Sequence, residues 1–151
     1  MAYEFKAQRR VEFSETDMAG IMHYSNFFRF METAEHGFFR SLGFTIAPRQ
    51  FEVGQAKVGW PRVHASCDYH QPLRFEDLVE IHLLIAEKKS KAITYQFRFR
   101  KLNGGDGKEV ARGRLTVVCV GFDEASGAMK AANIPQEIAS KIEPAPATML
   151  A

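Results

Sequence analysis

Ser25-Asn26-Phe27-Phe28-Arg29-Phe30-Met31-Glu32-Thr33-Ala34-Glu35-His36-Gly37-Phe38-Phe39-Arg40-Ser41-Leu42-Gly43 is the stretch that decides the architecture. Phe27, Phe30, Met31, Ala34, Phe38 and Leu42 recur three and four residues apart, which lays them along one face of a helix. Gly43 supplies the stop, because the residue after a helix often turns left-handed and glycine does so without steric cost. One long helix is therefore expected from about Ser25, followed by a loop carrying Pro48, Gly54 and Gly59.

On either side of this helix the period changes from about 3.6 to two. Upstream, Tyr3, Phe5, Ala7, Val11 and Phe13 alternate with charged neighbours, the pattern of a half-buried strand over Tyr3 to Phe13. Downstream, Arg62 to Tyr69, Asp77 to Glu87, Ala92 to Leu102 and Glu109 to Phe122 are each rich in Val, Ile, Leu, Tyr and Phe. Turn signals separate them: Gln71-Pro72, Lys88 to Lys91, Asn103 to Gly107, and Asp123 to Gly127. Pro135 then opens a short helix, Gln136 to Ile142, with Asn133 nearby as a cap. The order predicts an α+β fold: a strand, a long helix, then four strands in a meander. One amphipathic helix cannot cover a five-stranded sheet on both faces. The sheet is thus expected to wrap the helix and to offer its remaining face or edge to another subunit.

The 151 residues suffice for one domain, expected over 1–143, with the last eight from Pro144 as a loose tail. Hydrophobic residues make up 46% and charged residues 25%, a globular balance, and 13 Phe require a packed aromatic interior, interface or pocket. Twenty basic against 18 acidic residues leave a net charge of +2, without the basic excess of a nucleic-acid binder. The apolar runs are too short to span a bilayer, and MAYEFKAQRR lacks a signal-peptide core, so no membrane insertion and a cytoplasmic location are expected. Cys67 and Cys119 have no ligand spacing and read as reduced core residues, and no metal or redox cofactor is suggested.

The densest polar constellation is Glu15-Thr16-Asp17-Met18-Ala19-Gly20-Ile21-Met22-His23-Tyr24-Ser25-Asn26, between the first strand and the helix. A helix N-terminus presents unpaired N–H groups and the positive end of the helix dipole, suited to a developing oxyanion. Asp17, on a loop containing Gly20, can curl back toward it. A carboxylate beside an oxyanion hole is the minimum apparatus for acyl transfer. The plainer readings are a turn-forming Asp17, a packed His23, a capping Asn26 and a solvated Glu15.

The run Val11-Glu12-Phe13-Ser14-Glu15-Thr16-Asp17-Met18-Ala19-Gly20-Ile21-Met22-His23-Tyr24-Ser25-Asn26-Phe27 resembles the signature of the 4-hydroxybenzoyl-CoA thioesterase family. That signature is an Asp, a Gly three residues on, an aromatic/His pair, then Asn and an aromatic opening the central helix. Val63-His64-Ala65-Ser66-Cys67-Asp68-Tyr69, with Pro72 and Asp77, resembles the family's second strand, and its first four residues resemble dihydroxynaphthoyl-CoA hydrolases. Phe122-Asp123 through Gly127 and Ile134-Pro135 resemble its closing turn and terminal helix, so the likeness covers roughly residues 3 to 142. One departure is the order His23-Tyr24, where many members carry the aromatic first. It bears on a histidine side chain and not on the backbone of Tyr24.

The resemblance implies a hot-dog fold, a long central helix wrapped by a curved five-stranded antiparallel sheet, dimerised through a continuous sheet and often paired again into a tetramer. It implies hydrolysis of an acyl- or aroyl-CoA thioester at the subunit interface. Asp17 is then the catalytic carboxylate, within a signature that includes Gly20 and His23, and the N–H of Tyr24 polarises the thioester carbonyl. Candidate substrate contacts are Asn26 and Phe27 at the helix start, Arg62 and His64 on the following strand, and Lys88, Lys89 and Lys91 in a turn where CoA phosphates would meet basic side chains. For the lysines the alternative is an ordinary solvated turn. A non-catalytic acyl-CoA or acyl-carrier-protein binding module on the same fold is the alternative for the whole chain. The acyl group, the carrier and the choice between dimer and tetramer stay open.

Overall fold

The computed structural model describes residues 1–48 and 56–151. Gly54, expected in the loop after the helix, lies outside the described residues. The elements are β1 (Glu4–Arg10), a short 3-10 turn (Phe13–Glu15), α1 (Ser25–Ser41), β2 (Arg62–Tyr69), β3 (Leu78–Lys88), β4 (Ala92–Lys101), β5 (Glu109–Val118), β6 (Val120–Phe122), β7 (Met129–Ala131), α2 (Gln136–Ala139) and α3 (Ala147–Leu150). β1 to β5 form one antiparallel sheet in the order β1-β3-β4-β5-β2, while β6 and β7 form a separate two-stranded ribbon.

The helix stripe packs as its spacing predicts. Phe27, Phe30, Met31, Ala34 and Phe38 are buried against the inner face of the sheet, Leu42 is half-buried, and Phe39 joins them. The sheet answers with alternate residues: Ile81, Leu83 and Ile85 on β3, Ile93, Tyr95, Phe97 and Phe99 on β4, and Ala111, Leu115 and Val117 on β5. Each large side chain so buried contributes about 1.5–3 kcal/mol. β5 carries Gly113 where the helix comes closest: a Cβ there would meet Met31 Cε at 2.0 Å. The glycine lets helix and sheet approach at that point.

Three expectations change. The strands after the helix are not a simple meander, because β2 pairs with β5 (Tyr69↔Ala111 through Arg62↔Val117) and not with β3. The β3 edge is taken by β1, from Glu4↔Leu84 to Arg10↔Leu78. Residues 70–77 therefore cross the end of the sheet to join β2 to β3, with Leu73 and Asp77 buried. Second, the strand expected over Glu109 to Phe122 is broken at Cys119. Its N–H donates to Lys91 O and its carbonyl accepts from Ala132, so the chain leaves the main sheet for the β6–β7 ribbon. Third, α2 stops at Ala139, with Pro135 at its N-cap and no side-chain cap from Asn133. The ammonium of Lys88 donates to Ala139 O (2.6 Å) and Ile142 O (3.0 Å), satisfying carbonyls that a longer helix would have used.

Residues 144–151, expected as a loose tail, are tied to the sheet at a few points, although most of their side chains are exposed. Ala145 is buried and its N–H donates to Ile85 O (2.8 Å), a carbonyl left beside the irregularity between Ile85 and Glu87 in the β3–β4 ladder. Gln96 and Arg98, on the sheet face away from α1, donate to Leu150 O and Ala151 O. Leu84, the cross-strand neighbour of Gln96 on that outer face, is fully buried. Cys67 and Cys119 are free thiols, and among the described residues no helix is long and apolar enough to cross a membrane.

Candidate active site

The chain between β1 and α1 folds into a tight loop tied to its surroundings by backbone bonds. Thr16 and Met22 form an antiparallel bridge, Asp17 N–H donates to Ile21 O (2.9 Å) and Gly20 N–H to Asp17 O (3.0 Å). Gly20 has φ of +80°, a left-handed turn position that favours glycine. Met22 N–H donates to Leu73 O (2.6 Å), fastening the loop to the crossing segment 70–77. The carbonyl of Glu15 accepts from His23 N–H (2.9 Å) and from Asn26 Nδ2 (2.8 Å), fastening it to the helix start.

Asp17 is a turn former as well as a candidate reactant. Its Oδ1 accepts the N–H of Ala19 (2.9 Å), and its Oδ2 has no hydrogen-bond partner among the described residues. Asp17, Met22, Tyr24, Phe27, Tyr69 and Leu73 line a cavity of about 410 Å³. Its walls are mostly apolar, and it opens to solvent beside the exposed rings of Tyr24 and Tyr69. Tyr24 occupies the N-cap of α1, and its N–H makes no hydrogen bond among the described residues. A carboxylate oxygen and an uncommitted helix-terminal amide at one cavity can attack, or activate water toward, a carbonyl while polarising its oxygen.

The structure brings Asp17, Tyr24 and Phe27 to that cavity, with Gly20 shaping the loop behind them. His23 stacks on Tyr24 (centroids 4.5 Å apart), and its Nδ1 lies 2.8 Å from Ser25 Oγ, outside the cavity lining. Asn26 anchors the loop and does not cap the helix with its side chain. Arg62 and His64 lie toward the far end of β2, outside the lining. Arg62 donates to Glu35 Oε2 (3.2 Å) and to Trp60 O (2.9 Å), and His64 Nε2 is 3.2 Å from Ser66 Oγ. Lys88 is committed to the end of α2, Lys89 Nζ is 3.4 Å from Glu87 in a solvent-exposed pair, and Lys91 is exposed. Lys88, Lys89, Ser90 and Asn133 border a separate cavity of about 360 Å³.

Two residues outside the expected set stand out. Tyr69 ends β2 and forms a cavity wall, a role the strand pattern alone does not assign. Glu35 sits fully buried on α1, where burial pushes its carboxyl above the ordinary value against the pull of Arg62. Its signal was a carboxylate four residues after Met31 in the buried stripe. Among the described residues no cluster of three or more His, Cys, Asp or Glu is placed to hold a metal.

Gly20→Ala tests the loop. The nearest atom to a Cβ there is Arg74 Nη1 at 3.9 Å, so the cost is backbone strain and not a clash. Denaturant unfolding is expected to show a loss of about 1–2 kcal/mol.

Residues 11–142 match the family model described as Thioesterase-like superfamily. The chain is 38% identical over 93 residues to a putative esterase of Aquifex aeolicus (strain VF5), covering 62% of this chain and 70% of that one. It is 30% identical over 114 residues to the 4-hydroxybenzoyl-CoA thioesterase of Pseudomonas sp. (strain CBS-3), covering 74% and 79%. Among solved structures, a gentisyl-coenzyme A thioesterase superposes with a TM-score of 0.73 at 32% identity, covering 89% of this chain and 99% of that one.

Proposed function

Because this chain belongs to the Thioesterase-like superfamily, we propose that it hydrolyses an acyl- or aroyl-CoA thioester to the free acid and CoA, with Asp17 as nucleophile or general base and the Tyr24 amide in the oxyanion hole. The observation that carries the reading is the convergence of Asp17 and Tyr24 on one largely apolar cavity, with Oδ2 of the first and N–H of the second uncommitted among the described residues.

The chemistry asks for little more. The leaving group is a thiolate whose conjugate acid titrates near that of a free cysteine, about 8.5, so a strong general acid is dispensable. Attack by Asp17 on the carbonyl gives a mixed anhydride and releases the thiolate, and water then cleaves the anhydride. Alternatively, Asp17 takes a proton from a water that attacks directly. In both, negative charge grows on the carbonyl oxygen, where helix N-terminal donors are worth roughly 3–4 kcal/mol. The relatives named above as CoA thioesterases act on aromatic acyl groups, which agrees with the aromatic wall of Phe27, Tyr24 and Tyr69.

β2 supports a homo-oligomer. Seven of its eight residues are exposed, including Val63 at 62%, and among the described residues only one of its edges is paired, to β5. An open edge of this kind is completed by the same strand of a second copy across a two-fold axis, giving a continuous sheet. Of the three lysines in this turn, Lys88 is engaged by α2, which leaves Lys91 and Lys89, the latter 3.4 Å from Glu87 in an exposed pair, for CoA phosphates. Lys89→Glu is accordingly expected to raise KM by about fivefold, roughly 1 kcal/mol, with little change in kcat, because a phosphate contact serves ground and transition states alike. An unchanged KM would remove this turn from the CoA site. The reading as a whole is tested by thiol release from aroyl-, short-chain and long-chain acyl-CoA thioesters, with Asp17→Asn run in parallel.

A further inference from the structure

We infer that Tyr69 is a positioning residue for the oxyanion-binding end of α1, its hydroxyl holding the peptide that follows the Tyr24 amide. The inference rests on the thioesterase reading above. Tyr69 is the last residue of β2, and its pairing with Ala111 fixes its backbone in the sheet. Its side chain leaves the sheet for the helix start, where the hydroxyl donates to Tyr24 O at 3.3 Å. The ring packs edge-on to Phe27 (5.1 Å, 72°) and to Tyr24 (6.5 Å, 64°). Phe27 continues the chain of rings to buried Phe99 of β4 at 5.2 Å. One side chain thus links the edge of the sheet to the first turn of the helix.

That link adds a contact from the sheet to a helix start otherwise held from its own loop, where Ser25 N–H donates to His23 Nδ1 (3.3 Å), Asn26 N–H to His23 O (3.0 Å) and Asn26 Nδ2 to Glu15 O (2.8 Å). Tyr24 is the N-cap, already helical at φ −55° and ψ −31°, and makes no side-chain cap. A Ser, Thr, Asn or Asp side chain would ordinarily tie down one of the first amides. Tyr24 O also accepts from Phe27 N–H, at the same 3.3 Å as from the Tyr69 hydroxyl. Without the Tyr69 hydroxyl, the Tyr24–Ser25 peptide loses its only tertiary hydrogen bond among the described residues, and the neighbouring His23–Tyr24 peptide, which carries the oxyanion donor, is left to the local bond from Asn26 N–H to His23 O (3.0 Å). An oxyanion donor acts through being fixed before the charge appears, and small misplacements are costly. Burial and the neighbouring Cys67 push the Tyr69 hydroxyl up to about 12, so it remains a donor across the working pH range. Tyr69 itself is 45% exposed, so loss of its hydroxyl should hardly affect global stability.

The test is Tyr69→Phe, which keeps the ring and deletes one oxygen, assayed for thiol release beside wild type and Asp17→Asn. A fall in kcat of about tenfold is expected, with KM within about twofold and the melting temperature within about 2 °C. Amide hydrogen exchange at Tyr24 to Asn26 should quicken in the same variant. Unchanged kcat, or unchanged exchange at these amides, would overturn the inference. So would a rise in KM at constant kcat, which would make the hydroxyl a substrate contact. If Asp17→Asn abolishes turnover while Tyr69→Phe does not lower kcat, the thioesterase reading stands and the role of Tyr69 falls. A wild-type chain inert on every thioester would remove both.

Discussion

Asp17→Asn is expected to lower thiol release by about 10³-fold or more while leaving the fold intact. The substitution keeps the size of the side chain and one carbonyl oxygen. The bond from Ala19 N–H to Oδ1 can therefore survive, and with it the turn that also depends on Gly20. What disappears is the oxygen nucleophile and proton acceptor at Oδ2, with its negative charge. Steady-state kinetics and a thermal melt on the same sample check both halves of the claim. Lost turnover with an unchanged melt assigns Asp17 to the chemistry. Turnover within a few-fold of wild type would leave Asp17 as a turn former only. One turnover in oxygen-18-labelled water then separates the two routes. Direct attack by water labels the released acid, whereas cleavage of an anhydride at the aspartyl carbonyl labels Asp17.

The second large effect concerns stability. Arg62→Ala is expected to cost about 3–5 kcal/mol of unfolding free energy at pH 7, because it strands a buried carboxylate. Glu35 is fully buried, and Arg62 supplies its hydrogen bonds and its counter-charge from β2. Burial already raises the Glu35 carboxyl above 4.5, and loss of the guanidinium must raise it further. A raised carboxyl favours the protonated form in the folded state. The variant's deficit is thus full above that further-raised value and shrinks as pH falls from it toward the wild-type value, itself above 4.5. Denaturant unfolding at pH 7 and pH 5, at one protein concentration, measures this. An equal deficit at both would show that lost packing, not the stranded charge, dominates. Arg62→Ala combined with Glu35→Leu should recover much of the loss, since an apolar replacement removes the buried charge altogether.

Arg62 also shows how a residue type can mislead when read in one dimension. An arginine on the strand after a ligand-side helix suits a substrate contact, and its residue type alone cannot say that a carboxylate on the helix will capture it. Glu35 could have been seen as that partner, since it follows Phe27 and Met31 at four-residue steps on the buried face. Lys88 is a parallel case: its neighbours in sequence are solvated, yet its ammonium closes the end of α2, 51 residues away. Both assignments depend on groups far apart in the chain that meet only when the sheet closes.

Local chemistry, by contrast, was legible. The three- and four-residue spacing from Phe27 to Leu42 placed α1, and alternation placed the strands to within a few residues, because each records which side of one element meets apolar surroundings. The signature from Val11 to Phe27 marked the reactive loop, since an Asp, a Gly able to turn left-handed and a helix start lie within ten residues of one another.

By itself, then, the sequence determined the α+β class, the long helix, the family and the segment that carries Asp17. Only the tertiary structure decided that β2 crosses to the edge beside β5, that residues 144–151 lie over Gln96 and Arg98, and that Tyr69 reaches Tyr24. The physical reason is one of range. Periodicity and turn chemistry are set by neighbours within a helical turn or a hairpin. The choice of strand partner and the hydrogen bonds of an edge residue are set by which distant groups remain unsatisfied once the core has formed.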